Sequence, residues 1–504
     1  RPSVYSACAT GIYLYHFTHE NFARQVGEEI CFQGREGHPR KNSVDLSDSP
    51  ASWGHAHVSH FSPTRRHVSK RTRTHGSWCT STRHYATWFS TRRSHGIAQF
   101  HGLPGFMSWA RFSCSSTHGT QWLIHTRGIV NSFGTFQAYY KAHFLAYRSS
   151  FDISWIGSVQ ACLTLILSQL VGPLYDMGFM TILVWIGAFL VTFGMMMTSL
   201  CTRFYQVILA QGFCIGIGSS LLYIPSVMVC VTHCRRRKGL ALGISSVGSS
   251  LGSIIYPIVF NQTEPDIGFG YAFRVMGFLA LGTFVISLAV IRRVSGTKEI
   301  RPLLLLHAFR EPSYAWYVAS EFFCLMGIYV PYYYVTSYAS GPSHMSEDLS
   351  PYMVPILKAT SIIGRLVPAL LSDYFGPLNM YVPMIFASAV LNFGWIGIHS
   401  PASIIVYDVL YGITSGTVVA ITPAVVAEIT SDPKEVGTRI GMSYFIGGLG
   451  MLVGPPVAGR LLDMHDGTYY LGVQLFSACI MCAATMCLVM ARAHKAGWHV
   501  LRKA

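Results

Sequence analysis

The sequence predicts an all-α membrane protein built as two six-helix bundles related by a pseudo-two-fold axis. Three observations carry that expectation: a low charge fraction, uncharged runs of spanning length, and an internal repeat. Of 504 residues, 51% are hydrophobic and 12% charged, with a mean hydropathy of +0.37. A soluble domain carries about 25% charged residues. The deficit is concentrated, because no Asp, Glu, Lys or Arg occurs between Asp176 and Arg203, between Arg203 and Arg235, or between Asp466 and Arg492. Each gap exceeds the ~20 apolar residues that a helix needs to cross a hydrocarbon core. None alternates with period two, which argues against the strands of a membrane β-barrel.

The repeat fixes the architecture. A shift of 198 residues lays Gly218 on Gly416, Pro225 on Pro423, Gly239 on Gly437, Gly243 on Gly441, Gly252 on Gly450 and Pro257 on Pro455. Six Gly/Pro coincidences at one offset place helices 4 and 5 over helices 10 and 11. Two parallel repeats of this kind are related by an axis along the membrane normal. Small residues at these positions let helix backbones approach closely.

In chain order, spans are expected near 122–146, 154–174, 180–200, 204–231, 238–260 and 270–292, then 313–337, 351–371, 379–398, 402–428, 436–459 and 469–491. The first is polar from Trp122 to Arg127 and reads as a span only from Gly128, so the first helix is expected to be incomplete. The divisions are a 1–127 N-terminal segment, a 128–292 half, a 293–312 cytoplasmic connector, a 313–491 half and a 492–504 cytoplasmic tail.

Residues 1–127 differ from the rest. Residues 1–120 hold twelve of the 21 histidines, and no Asp or Glu occurs from Ser49 to Phe151. His55, His57 and His60 have no fold around them to build a metal site, and no metal or cofactor is expected. Read two nucleotides out of frame, Pro104 to Gly119 can encode Trp-Leu-His-Val-Leu-Gly-Ala-Phe-Leu-Leu-Phe-Phe-Asn-Thr-Trp, an apolar run that would complete the first helix before Gly128. The segment is therefore expected to be disordered or misread.

The net charge of +15 does not indicate nucleic acid, because the basic residues gather in the N-terminal segment and on one side of the membrane. Arg235, Arg236, Arg237, Lys238, Arg292, Arg293, Lys298, Arg301, Arg310, Lys434, Arg439, Arg492, Lys495, Arg502 and Lys503 lie on that side. Lys141, Arg148, Arg203, Arg274 and Arg460 face them. The excess of Lys and Arg marks the cytoplasm, so both termini are expected inside and the Asn261-Gln262-Thr263 sequon outside, open to glycosylation at Asn261. Cys479 and Cys482 sit in an uncharged run and read as packing residues.

Several stretches resemble the monocarboxylate transporter family of the major facilitator superfamily, in its fungal branch. They are Asn131-Ser-Phe-Gly-Thr-Phe-Gln-Ala-Tyr-Tyr140, Ser154-Trp-Ile-Gly-Ser-Val-Gln160, Gly172-Pro-Leu-Tyr-Asp176-Met-Gly178, the Arg235–Gly252 stretch, Gly327-Ile-Tyr-Val-Pro331-Tyr-Tyr-Tyr334, and Gly364-Arg365 followed by Ser372-Asp373. The resemblance implies a multi-pass secondary transporter of the plasma membrane and not an enzyme. It implies partners too: a small organic anion of monocarboxylate type, protons moved by symport, and the lipid bilayer. Ser361 stands where proton-coupled carriers of the family have an aspartate, and Asn131 lies near their helix 1 lysine. The rival reading is a non-transporting sensor, or an aberrant and inactive product with the same fold; substrate-dependent uptake separates the two.

Charges inside spans are costly and mark function. Glu321 in helix 7 and Arg365 in helix 8 are expected at one depth toward the cytoplasm, with Lys358 in helix 8 and Asp408 in helix 10 at one depth toward the outside. An arginine in a central cavity can grip a carboxylate with two parallel hydrogen bonds, and a depth-matched acid can compete for it. The alternative is a structural ion pair between helices 7, 8 and 10. Asp176, Asp373 and Gly172 match the superfamily's loop motif after the second helix of each half, which implies gating; a solvated loop acid is the alternative. Tyr332, Tyr333 and Tyr334 are expected at a cavity mouth or in an interfacial belt.

Overall fold

The computed structural model describes residues 121–233, 238–290, 302–464 and 469–497. The N-terminal segment up to residue 120, with His55, His57 and His60, lies outside them, as do the basic residues at 235–237, 292–293, 298, 301 and 502–503.

Twelve helices follow one another among the described residues. α1 covers 121–142 with a break at Ser132, and α2 covers Ser150–Asp176 with a step at Leu167. α3 is Met180–Thr198, and α4 runs from Phe204 to His233 through a π-helical stretch, Ile208–Ile215. Lys238–Val290 is continuous by hydrogen bonding but bends at Gly268, which separates α5 (238–267) from α6 (269–290). The φ of Gly268 is +79°, a left-handed value that a side chain resists, so glycine permits the reversal there. The second half holds α7 (Pro312–Ser340), α8 (Met353–Phe375), α9 (Pro377–Gly394), α10 (Pro401–Ile429), α11 (Val436–Asp463) and α12 (Leu471–Ala496).

Local chemistry sets the helix ends. Ser149 caps α2 by accepting from Asp152 N–H, and Ser400 caps α10 with Pro401 at its first position. Gly376, at φ +92°, ends α8 and turns the chain into α9. Nine described helices are long and apolar enough to cross a membrane, and one of these, Ser245–Ala289, takes in most of both α5 and α6.

Polarity is inverted relative to a soluble protein. Trp185 (57% exposed), Phe189 (65%) and Phe193 make an apolar stripe along one face of α3, while Lys358, Arg365, Asp408 and many serines are buried. Apolar side chains outside and hydrogen-bonding groups inside suit a hydrocarbon solvent. Cys479 is exposed on α12, so the packing role expected for it is not found; Cys482 is partly buried.

One difference from expectation concerns α1. Residues 121–127 are helical, and α1 is about 33 Å long at ~1.5 Å per residue, so the expected truncation is absent. The polar face is satisfied by side chains of α5 and α6 and by the backbone of α1 itself. His125 lies 2.5 Å from the hydroxyls of both Tyr256 and Thr283, and Thr126 Oγ1 donates to Trp122 O.

The halves meet as the repeat requires. α2 packs on α11 and α5 packs on α8, two interfaces that exchange under the 198-residue shift, while α1 packs on α7. A Cβ on Gly252 would strike Ile124 O, and a Cβ on Gly450 would strike Phe322 O, which is 198 residues beyond Ile124. Gly243 faces the Arg365–Ala369 turn of α8, and Gly441 faces Gln169, whose repeat equivalent lies in that turn.

Candidate functional site

α8 carries Lys358, Ser361 and Arg365 at spacings of three and four, hence on one face, and all three are buried. Arg365 lines a small cavity between the halves that opens on one side. Leu123 and Arg127 of α1, Tyr223 of α4, Ser245, Ser246 and Ser249 of α5, and Tyr444 of α11 share the lining. The cavity occupies the half of the bundle nearest the connector, since its residues come from the starts of α1, α5 and α11 and the later parts of α4, α8 and α10.

Arg365 is 1% exposed. Its Nη1 donates to Ser246 O at 2.8 Å and Ser249 Oγ at 2.7 Å, whereas Nε and Nη2 have no partner among the described residues. Among the described residues, no Asp or Glu lines the cavity. Arg127 stacks over Tyr223, its Cζ 4.6 Å from the ring centroid, and Tyr223 OH donates to Tyr444 OH at 3.4 Å. The wall therefore combines two guanidiniums, hydroxyls and aromatic faces without an acid, a composition that accepts an anion with an apolar body.

The profile of the Major Facilitator Superfamily matches residues 126–407 and 359–503. The chain belongs to this superfamily. Its relatives include the MFS-type transporter dbaD of Emericella nidulans, 36% identical over 380 residues, covering 75% of this chain and 82% of the relative. The Aspyridones efflux protein apdF of the same organism is 40% identical over 361 residues, covering 71% and 73%. The MFS transporter asaE of Aspergillus flavus is 34% identical over 375 residues, covering 72% and 83%. This major facilitator protein is a multi-pass membrane transporter, and its superfamily is one of transporters rather than enzymes.

The expected pairing of Glu321 with Arg365 is not formed. Glu321 turns the other way and accepts from Tyr381 OH at 3.0 Å and Tyr317 OH at 3.5 Å. The side chains of Lys358 and Asp408 make no hydrogen bond to each other or to any described residue; the Lys358 ammonium sits 3.0 Å from the centroid of the Tyr332 ring. Asn131 accepts from Tyr329 OH at 3.2 Å. Ser361 donates to Lys358 O and shares a 2.8 Å hydrogen bond with Ser250 Oγ.

Asp176 is buried at the end of α2, whereas Asp373 is exposed at the end of α8, so the two halves treat the motif differently. A Cβ on Gly172 would meet open space, which removes any close-approach role for that glycine. Tyr332, Tyr333 and Tyr334 are buried in the interior, away from a mouth or an interfacial belt; Tyr334 OH donates to Pro455 O at 2.9 Å and pairs with Ser154 Oγ at 2.6 Å. The Asn261 sequon lies inside α5 with its amide donating to Pro351 O at 3.2 Å. A helical, bonded asparagine is a poor acceptor for glycosylation, which favours surface loops.

The sequence reading missed Arg127, Tyr223, Ser249 and Tyr444. Arg127 was hidden by ending the anomalous segment at that residue. Tyr223 and Tyr444 were legible only as unlabelled aromatics in two long spans.

Proposed function

We propose that this transporter moves small organic anions of monocarboxylate type, with protons as the coupling ion and both termini in the cytoplasm. The single observation that carries the reading is Arg365: a buried guanidinium in a cavity without an acid, with two nitrogens unclaimed. An arginine taken out of water needs acceptors, and a carboxylate supplies two oxygens at the spacing of the guanidinium fork. Leu123, Val227 and Val419 then face the apolar body of the cargo. Export is the direction favoured, since one relative is named an efflux protein. Asp176 and Asp373 act as conformational gates in this reading. The test is uptake and counterflow by purified protein in proteoliposomes over a panel of carboxylates, with and without a pH gradient. Saturable carboxylate flux supports the reading; flux of neutral or cationic compounds alone defeats it.

A further inference from the structure

We propose that Asp408, together with Lys358, forms the proton-exchange site of this transporter, apart from the cavity that holds Arg365. The inference rests on the transport reading above and names where its proton is carried.

Both side chains are fully buried, at 0% exposure, on helices that are in intimate contact: a Cβ on Gly412 of α10 would strike Leu357 O and the Thr360 side chain of α8. Neither carboxylate oxygen of Asp408 has a hydrogen-bond partner among the described residues, and neither does Lys358 Nζ. Lys358 from α8 faces Asp408 and rests on the Tyr332 ring from α7; the other charges acting on Lys358 are Arg365 from the same face of α8 and Arg127 from α1, and Tyr407, next to Asp408 in α10, donates to Asn392 of α9 at 2.9 Å.

An ionised carboxylate without hydrogen bonds in such a site is strongly disfavoured, so in this conformation Asp408 carries its proton as a neutral carboxyl. Lys358 is then free to lie on the Tyr332 face, held by the ring quadrupole. When the O–H bond of Asp408 breaks and the proton leaves to water, the carboxylate attracts the ammonium off the ring into an ion pair. That movement pulls on α8. One and two turns further on, the same face of α8 carries Ser361, bonded to Ser250 of α5, and Arg365, bonded to Ser246 and Ser249 of α5. Proton loss at one end of this face thus bears on the α5–α8 interface where the anion site lies.

The test uses the full chain in lipid. The acid-minus-alkaline infrared difference spectrum is expected to contain a protonated-carboxyl stretch that Asp408→Asn lacks and Asp408→Glu shifts; an unchanged band in both variants overturns the proposal. Pyruvate and benzoate serve as cargo probes in proteoliposomes. Asp408→Asn is expected to retain counterflow, which needs no net proton movement, and to lose accumulation driven by a pH gradient. Retained gradient-driven accumulation overturns the proposal. Absence of counterflow in the wild type defeats the anion-transport reading instead, and the infrared band still decides this one.

Discussion

Tyr329 donates a hydrogen bond to Asn131 across 3.2 Å, and the two residues stand 198 positions apart, the same offset that superposes the two halves of the sequence. Repeat equivalents that touch each other must straddle the axis relating the repeats. The bond therefore locates the pseudo-two-fold axis between α1 and α7. Gly252 and Gly450 flank it, each with a backbone carbonyl where a Cβ would go.

The first prediction follows from that contact. Gly450→Ala forces a methyl against Phe322 O, and overpacking of this kind costs roughly 1–3 kcal/mol. Thermal unfolding in detergent should show a clearly lowered midpoint for Gly450→Ala and an unchanged one for Gly172→Ala, whose new methyl meets nothing within 4 Å. Equal midpoints for the two would remove the close-approach argument.

A second prediction concerns the end of the bundle opposite the connector. The Asp463 carboxylate, at the end of α11, accepts from Ser150 N–H at 2.9 Å and Phe151 N–H at 2.8 Å at the start of α2. An acid at a helix N-terminus also meets the favourable end of the helix dipole. These bonds join the halves, and hydrogen bonds to a charged group contribute about 1.5–3 kcal/mol. Asp463→Ala should shift the population toward a form open at this end. A cysteine at Ser154 should then react faster with a membrane-impermeant maleimide than it does in the Asp463 background; an unchanged rate would show that the latch holds nothing.

A third prediction is a pH effect at the connector. Arg439 Nη1 donates to Glu311 at 2.7 Å, and Glu435 accepts from the same guanidinium at 2.8 Å. Hydrogen bonding to Arg439 holds the Glu311 carboxyl below its ordinary value. A depressed folded-state value gives stability that is present above the unfolded value and lost as pH falls through the folded one. The midpoint of thermal unfolding should therefore fall as pH drops below the ordinary carboxylate value near ~4.3. Glu311→Gln should flatten that part of the profile, and a profile unchanged by the substitution would exclude Glu311 as its source.

The two halves of the fold were legible because Gly and Pro report backbone constraints directly. Gly243, Gly252 and Gly450 are needed where helices touch, and that need survives in the sequence as a repeat. The site was legible in part. Arg365, Lys358 and Asp408 stood out because charges in apolar runs are costly, and all three are buried. Their pairing was not legible, because depth along a helix says nothing about azimuth: Glu321 was expected at the depth of Arg365, but it bonds Tyr381. The first helix was misjudged because composition cannot reveal that His125 finds Tyr256 and Thr283 on other helices.

A fourth prediction concerns the message. The shifted frame expected for the segment before Gly128 would give an apolar helix start with Trp where Arg127 stands. The difference is structural, since Arg127 lines the cavity over Tyr223 and a tryptophan would remove that cation. Sequencing the transcript decides it: a message encoding Trp109 to Arg127 as given refutes the frame error.

The central claim is that Arg365 receives the anion, and carboxylate counterflow in proteoliposomes tests it most directly. Wild-type protein should exchange a labelled carboxylate, Arg365→Ala should insert and fold but show no exchange, and Arg365→Lys should recover only part of it, because an ammonium keeps the charge without the fork. Full counterflow by a folded Arg365→Ala protein would contradict the account and reduce Arg365 to a bond between α8 and α5.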